Sequence, residues 1–310
     1  MLRCMGLFRS IVVGADFSEC STVAIRQTLR MAAWPGPTTT RIHAVHVVDA
    51  LVVEELAEAT GQADVRGRVQ RDAEDAWRQL RGGIPGAENL PLEVVVDDRI
   101  RGILERARAN AAELVVMGAY GSRMPDVGGG TVATACVREA GMDVMLVRDT
   151  RPGGGSHPFR MVVVGVDFSP TSQVALERAA EVAACDGAEL CVLHVFEGPW
   201  HKLHYKSFTT EADPAFQRQY RDALQRRLED FARPAIERHR VARHAVQVFD
   251  HAGHRTGLVT WAEKAGADLI CVGTRGRTNL RDLLLGSTAE RVLGESSCSV
   301  LAVKPRRPVD

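Results

Sequence analysis

A chain of 310 residues and 33.8 kDa has room for two domains of ordinary size or for one large one. Its 45% hydrophobic and 25% charged residues exclude a disordered chain, and 39 basic against 39 acidic residues remove the positive surplus that attracts nucleic acid or an acidic membrane. Small molecules or proteins are the partners to expect, with no nucleic acid and no membrane among them.

The N-terminal stretch MLRCMGLFRS has neither a long apolar run nor a small-residue cleavage site, so it does not read as a secretory signal. The most apolar windows, 11–16 and 161–166, are broken off by an aspartate, Asp16 and Asp167, far short of the roughly 20 apolar residues that span a bilayer. The expected compartment is the cytoplasm. Seven scattered cysteines with no CxxC pair indicate neither a disulfide framework nor a zinc knot, and they read as small buried apolar residues.

The first strand signal, FRSIVVGADFS at 8–18, returns at 159–169 as FRMVVVGVDFS, with eight of eleven positions identical. The repeat continues in order: HAVHVVD (43–49) with CVLHVFE (191–197), which aligns His46 with His194, then AAELVVMGAYG (111–121) with GADLICVGTRG (266–276), then DVMLVR (143–148) with SVLAVK (299–304). Between the copies, the Gly- and Pro-rich RDTRPGGGSHP (148–158) has no apolar period and reads as a linker. Two homologous domains follow, 1–149 and 159–310, with a linker at 150–158.

In the second copy, strands are expected at 160–166, 189–196, 245–249, 268–272 and 299–303, and helices near 170–186, 215–240, 254–265 and 287–296. Pro234 is expected to kink or end the second of these helices. The strand runs, such as VVVGV and LICVG, lack polar alternation, which signals a parallel sheet buried on both faces and hence a doubly wound α/β fold. Ligands in such sheets sit beyond the carboxyl ends of the strands, where strand order reverses.

Three features fall at those ends. Asp167 closes the first strand, able to accept from a ribose or base; its alternative, with Ser169 and Thr171, is to cap the next helix. His194-Val195-Phe196 ends the second strand, where the backbone could meet an adenine edge and the side chains could equally be core. Gly273 and Gly276, nine residues before Gly286-Ser287-Thr288, form the third: glycines that let the backbone come close to a ligand and take positive φ so that N–H groups aim at an anion, then a helix N-terminus that favours negative charge. This is not the lysine-bearing phosphate loop of kinases and GTPases.

The GxxGx9GS spacing after DLICV, with VGVDFS and CSVLAVK, resembles the ATP-binding branch of the universal stress protein family (UspA-like), and the likeness spans nearly all of both halves. The resemblance implies two tandem Rossmann-like domains of the adenine nucleotide alpha hydrolase type, each a five-stranded parallel sheet of order 3-2-1-4-5. It implies ATP across the switch point, with a divalent ion, Mg2+ or Mn2+, at the phosphates. Carried over by position, Asp167 would serve the ribose and adenine, the Val195 backbone the adenine, and Gly273, Gly276, Gly286, Ser287 and Thr288 the phosphates. It further implies that the two halves pair through their last strands, 143–148 and 299–303, leaving a homodimer open.

The first half keeps Asp16, Val47, Gly118 and Gly121, but only eight residues separate Gly121 from Gly130-Thr131, and they include Gly128 and Gly129. A missing residue shifts the helix start away from the glycine loop, and each glycine costs about 0.5–1 kcal/mol more than alanine to order. This half is the weaker copy, read as structural support with at most a secondary site. The HxxH pairs His201/His204 and His251/His254 have no third ligand nearby in sequence. The insertion 198–216, with Trp200, Tyr205 and Phe208, reads as a loop packed over the nucleotide or the other half. The expected role is stress-response regulation or protection through ATP binding, with slow ATP hydrolysis or a ligand-free scaffold as alternatives; no catalytic residue is assigned.

Overall fold

The continuous apolar runs of this sequence become parallel strands. The computed structural model describes residues 7–35, 39–120, 131–148, 156–201, 213–276 and 285–305, apart from the side chains of Thr131, His254 and Arg255. The chain divides into two compact units, Met1–His157 and Pro158–Asp310. The Gly128-Gly129 run, Tyr205, Phe208, His204 and most of the linker lie outside the described residues.

Unit one runs β1 (Ser10–Gly14), α1 (Glu19–Ala32), β2 (Arg41–Asp49), α2 (Ala50–Thr60), α3 (Val65–Gly82), β3 (Leu92–Asp97), α4 (Arg99–Ala109), β4 (Leu114–Gly118), α5 (Thr131–Glu139) and β5 (Asp143–Val147). β1 pairs in parallel with β2 and β4, β2 with β3, and β4 with β5. Unit two runs β6 (Met161–Gly165), α6 (Pro170–Asp186), β7 (Glu189–Phe196), α7 (Pro214–His239), β8 (Arg243–Asp250), α8 (His254–Ala265), β9 (Leu269–Gly273), α9 (Ser287–Glu295) and β10 (Ser299–Val303). Here β6 pairs in parallel with β7 and β9, β7 with β8, and β9 with β10. The chain is thus a tandem α/β protein built on parallel sheet, and no helix among the described residues is long and apolar enough to cross a membrane.

Helices cover the sheets, so the middle strands carry almost no exposed surface: Val162, Val163, Val164, Leu269, Ile270 and Cys271 are all 0% exposed. Burial pushes the Cys136 and Cys191 thiols up to about 12, so both stay protonated apolar fillers. Ser18 and Ser169, from the repeated DFS, cap α1 and α6, each Oγ accepting from the N–H three residues on. The cap expected among Asp167, Ser169 and Thr171 is the serine, with Asp167 bonded to the Ser169 N–H in the turn before the helix.

Pro234 does not end α7, which runs through it to His239. Pro234 is exposed, so the carbonyl it leaves without an N–H partner is open to water, while Ala232, Ala235 and Ile236 on either side are buried and hold the helix down. Where unit two carries the insertion, unit one has α2, an element the repeat did not reveal. The described start of the insertion packs on its own unit: the Trp200 Nε1–H donates to Asp250 Oδ2 at 3.0 Å, and its ring meets Phe196 and Tyr220.

Close approach of α1 to β4 rests on one glycine. A Cβ at Gly118 would stand 2.9 Å from the Cys20 carbonyl carbon and 3.0 Å from the Ser21 nitrogen, both backbone. Gly118→Ala is therefore expected to destabilise unit one by about 1–3 kcal/mol, measured as a lowered denaturation midpoint with an unchanged slope.

Candidate functional site

At the carboxyl ends of β6, β7 and β9 lies a cleft of about 500 Å3, of the size that takes a small organic ligand. All seven residues expected of a second-half site line it: Asp167, Val195, Gly273, Gly276, Gly286, Ser287 and Thr288. They come from four separate stretches of chain, and the fold brings them together because successive parallel strands deliver their ends to one edge.

The apolar end is built by Leu193 and Val195 of β7, Val272 of β9 and Leu258 of α8. Two glycines shape it. A Cβ at Gly165 would stand 2.6 Å from Leu258 Cδ2, and one at Gly257 would stand 2.5 Å from Val195 Cγ1, so both positions let a neighbour lean in. The repeated VVG foreshadows Gly165, whereas nothing in the sequence announces Leu258, which arrives from a helix lying over 90 residues further on.

Asp167 stands at the rim with its two oxygens divided. Oδ1 accepts from the Ser169 N–H at 3.0 Å and so stiffens the turn into α6. Oδ2 points across to the glycine loop, 2.8 Å from where a Cβ on Gly276 would be. The peptide before it is fixed by His194, whose Nδ1 lies 2.7 Å from the Val166 carbonyl; with a carbonyl as acceptor, that nitrogen carries the proton. Phe168, the next residue, has φ 62°, a left-handed backbone that costs a residue with a Cβ about 1–2 kcal/mol. Its ring is held by His194 (4.7 Å), by Phe231 edge-on (5.5 Å) and by the Arg227 guanidinium 4.0 Å above it.

The polar end is the glycine loop and the start of α9. The Gly286 N–H donates to the Thr274 carbonyl at 2.9 Å, and Thr274 is itself tied to Val303 by its own N–H at 2.9 Å, so the two ends of the loop are joined. Residues 277–284 between them, including Arg277, lie outside the described residues. α9 has Gly286 as its N-cap, with no side-chain cap hydrogen bond, so Ser287, Thr288 and Ala289 bring an uncapped helix N-terminus to the cleft wall. Arg275 lines the same end.

One expectation is corrected. Gly273 and Gly276 do not take positive φ; among the described residues the glycines that do are 61, 86, 187 and 266. Gly273 is needed for packing instead, since its Cβ would stand 2.9 Å from Thr171 Cγ2 and 3.3 Å from the Thr171 carbonyl carbon in α6. Gly276 keeps space in front of Asp167, and no left-handed turn is involved.

In unit one, Asp16 sits exposed at the end of β1, its Oδ1 accepting from the Ser18 N–H (3.1 Å) and hydroxyl (2.5 Å). Val47 is backed by Gly102 as Val195 is by Gly257, and Gly118 packs against α1. Arg148 lies over the Tyr120 ring at 5.5 Å and donates to its hydroxyl at 3.3 Å. Gly121 and Gly130 lie outside the described residues; Thr131 opens α5, without a described side chain. Phe17 copies Phe168, with φ 61° and its ring 4.6 Å from His46, whose Nδ1 is 2.7 Å from the Ala15 carbonyl.

Burial lowers the pKa of His46 from 6.5, outweighing the Ala15 carbonyl and the Asp16 charge, which raise it. Because the folded ring refuses a proton that the unfolded chain takes up, its contribution to stability is intact above 6.5. It falls as pH drops below 6.5, and levels off below the folded value. The pH dependence of unfolding near 6 is expected to be shallower, by up to one proton, in His46→Gln; an unchanged slope would show that the ring titrates alike in both states.

Among the described residues, no group of three His, Cys, Asp or Glu side chains is placed to hold a metal ion. Of the HxxH pairs, the described rings are otherwise engaged: His201 Nε2 lies 2.8 Å from Asp250, and His251 Nδ1 lies 3.1 Å from the Gly253 nitrogen.

Residues 7–148 and 158–304 each match the model of the universal stress protein family. A universal stress protein of Mycolicibacterium smegmatis is 25% identical over 317 residues, covering 96% of this chain and 97% of its own. Universal stress protein A homolog 1 of Coxiella burnetii is 34% identical over 151 residues, 47% of this chain and 96% of its own. The crystal structure of a universal stress protein from Archaeoglobus fulgidus has the same fold, with a TM-score of 0.63 at 19% identity, covering 96% of this chain and 99% of that one.

Proposed function

This chain belongs to the universal stress protein family, and from that premise we propose that its second unit binds ATP and couples occupancy to a regulatory or protective role in the cytoplasm under stress. The observation that carries the reading is the convergence on one cleft of an apolar slot, a carboxylate and an uncapped helix N-terminus. Adenine fits between Val195, Leu193 and Leu258, with its edge on the β7 backbone; the ribose hydroxyls face Asp167. The phosphates meet Gly276, Gly286, Ser287 and Thr288, where N–H groups and the helix dipole favour negative charge. A divalent ion would travel with the phosphates. Each unit is read as a five-stranded sheet of order 3-2-1-4-5, which puts the cleft at its switch point.

An anion site made of backbone N–H groups needs no basic surplus, in keeping with 39 charges of each sign. The test is mass spectrometry of small molecules released by heating the purified chain, with thermal unfolding in added ATP. Adenine nucleotide in the supernatant supports the reading, as does a gain of about 2.7 kcal/mol at 100-fold the Kd. The absence of both, no nucleotide released and no shift in unfolding at millimolar ATP, would sink it. Phosphate release lost on Ser287→Ala would convert the binding module into an ATPase.

A further inference from the structure

We infer that Phe168 and Arg227 are positioning residues for the nucleoside end of the cleft, holding Asp167 in its ribose-facing place through a left-handed turn clamped from α7. The inference rests on the nucleotide reading above and names what tunes it. Asp167 is pinned from both sides. Before it, the Val166 carbonyl is bonded to His194 and the Val166 N–H donates to the Leu193 carbonyl at 2.9 Å. After it, Phe168 holds φ 62°, a conformation that a phenylalanine keeps only where its surroundings impose it.

Those surroundings are His194 tilted against the ring, Phe231 edge-on to it and the Arg227 guanidinium over its face. Arg227 and Phe231 are four residues apart on α7, one turn of one helix, so the clamp closes only when α7 is docked. Unit one repeats the turn at Phe17 and the histidine at His46, but among the described residues no cation lies over the Phe17 ring. Asp16 is exposed, whereas Asp167 is half-buried with Oδ2 toward Gly276. The sequence copied the turn and did not copy the clamp, which makes the clamp a difference between the two halves.

The experiment compares the affinity of the full chain for ATP and for 2′,3′-dideoxy-ATP, which lacks the hydroxyls that Asp167 would hold. Wild type is expected to favour ATP by about tenfold, the worth of a hydrogen bond to a charged group. In Arg227→Ala and Phe168→Gly the preference is expected to fall to about twofold or less, as the loss of a cation–π clamp frees the turn, with Arg227→Lys restoring part of it. Glycine takes positive φ without strain, so Phe168→Gly separates backbone from ring. A Phe168→Gly or Arg227→Ala chain that binds ATP and keeps the full preference overturns the inference and spares the nucleotide reading. A wild type that binds ATP without preferring it also overturns the inference, because Asp167 would then have no ribose to be positioned for. A wild type that binds no ATP removes the parent reading instead. Circular dichroism on each variant separates a lost fold from a lost preference, and the lysine variant keeps the test open should the glycine variant unfold.

Discussion

Gly276→Ala is expected to weaken ATP binding about 100-fold while unit two keeps its fold. The new methyl would stand 2.8 Å from Asp167 Oδ2, so one of the two must yield. A carboxylate at the end of a side chain can swing aside, which makes the change cheap for folding. Gly276 also lacks positive φ, and replacing a glycine that is not left-handed stiffens the unfolded chain, a gain of about 0.4–1 kcal/mol. Binding has no such escape. The displaced carboxylate no longer faces the ribose, and the methyl fills the space in front of the loop N–H groups. Losing two hydrogen bonds of charged character, at about 1.5–3 kcal/mol each, is enough for the stated factor. Gly286→Ala is the contrast, because its Cβ finds the Thr274 carbonyl at 3.5 Å and Gly276 N at 3.7 Å, ordinary contacts. Isothermal titration with a parallel melt decides. Equal affinity in Gly276→Ala and wild type would remove the loop from the site.

What the sequence disclosed follows the range of the interactions involved. Strand and helix spans in the second half are set by local apolar period and by caps such as Ser169 and Pro170, and the repeat doubled that signal. The seven cleft residues were also readable, since each stands where a strand ends or a helix begins. Hidden were contacts between distant segments: Leu258 leaning over Gly165, Arg227 over Phe168, and the packing duty of Gly273 against α6. A glycine needed for close approach and a glycine needed for positive φ look the same in a sequence, which is why the positive φ expected at Gly273 is absent while its close approach is to α6. Pro234 misled in a similar way. Its cost depends on whether the orphaned carbonyl meets water, and that is set by which face of α7 is buried.

The second large effect comes from paired cavities in the two cores. Leu114 of β4 and Leu269 of β9 are equivalent in the repeat, and both are 0% exposed. Truncating either to alanine removes three buried carbons and leaves a void, expected to cost about 2–5 kcal/mol in its own unit, or roughly 4–20 °C of midpoint for domains of this size. The pair becomes informative when ATP is added. A ligand at 100-fold its Kd returns about 2.7 kcal/mol, and only to the unit that binds it. With the site in unit two, ATP is expected to restore most of the amide protection of β6, β9 and β10 in Leu269→Ala. It should leave β1, β4 and β5 in Leu114→Ala as they were, as read by hydrogen exchange strand by strand. Equal rescue in both variants would mean that Asp16, Val47 and Gly118 hold nucleotide as well as their counterparts do, and that the shortened loop of the first half is no handicap. Rescue confined to Leu269→Ala would assign the ligand to the half in which the carboxylate, the glycine loop and the helix start already share one cleft.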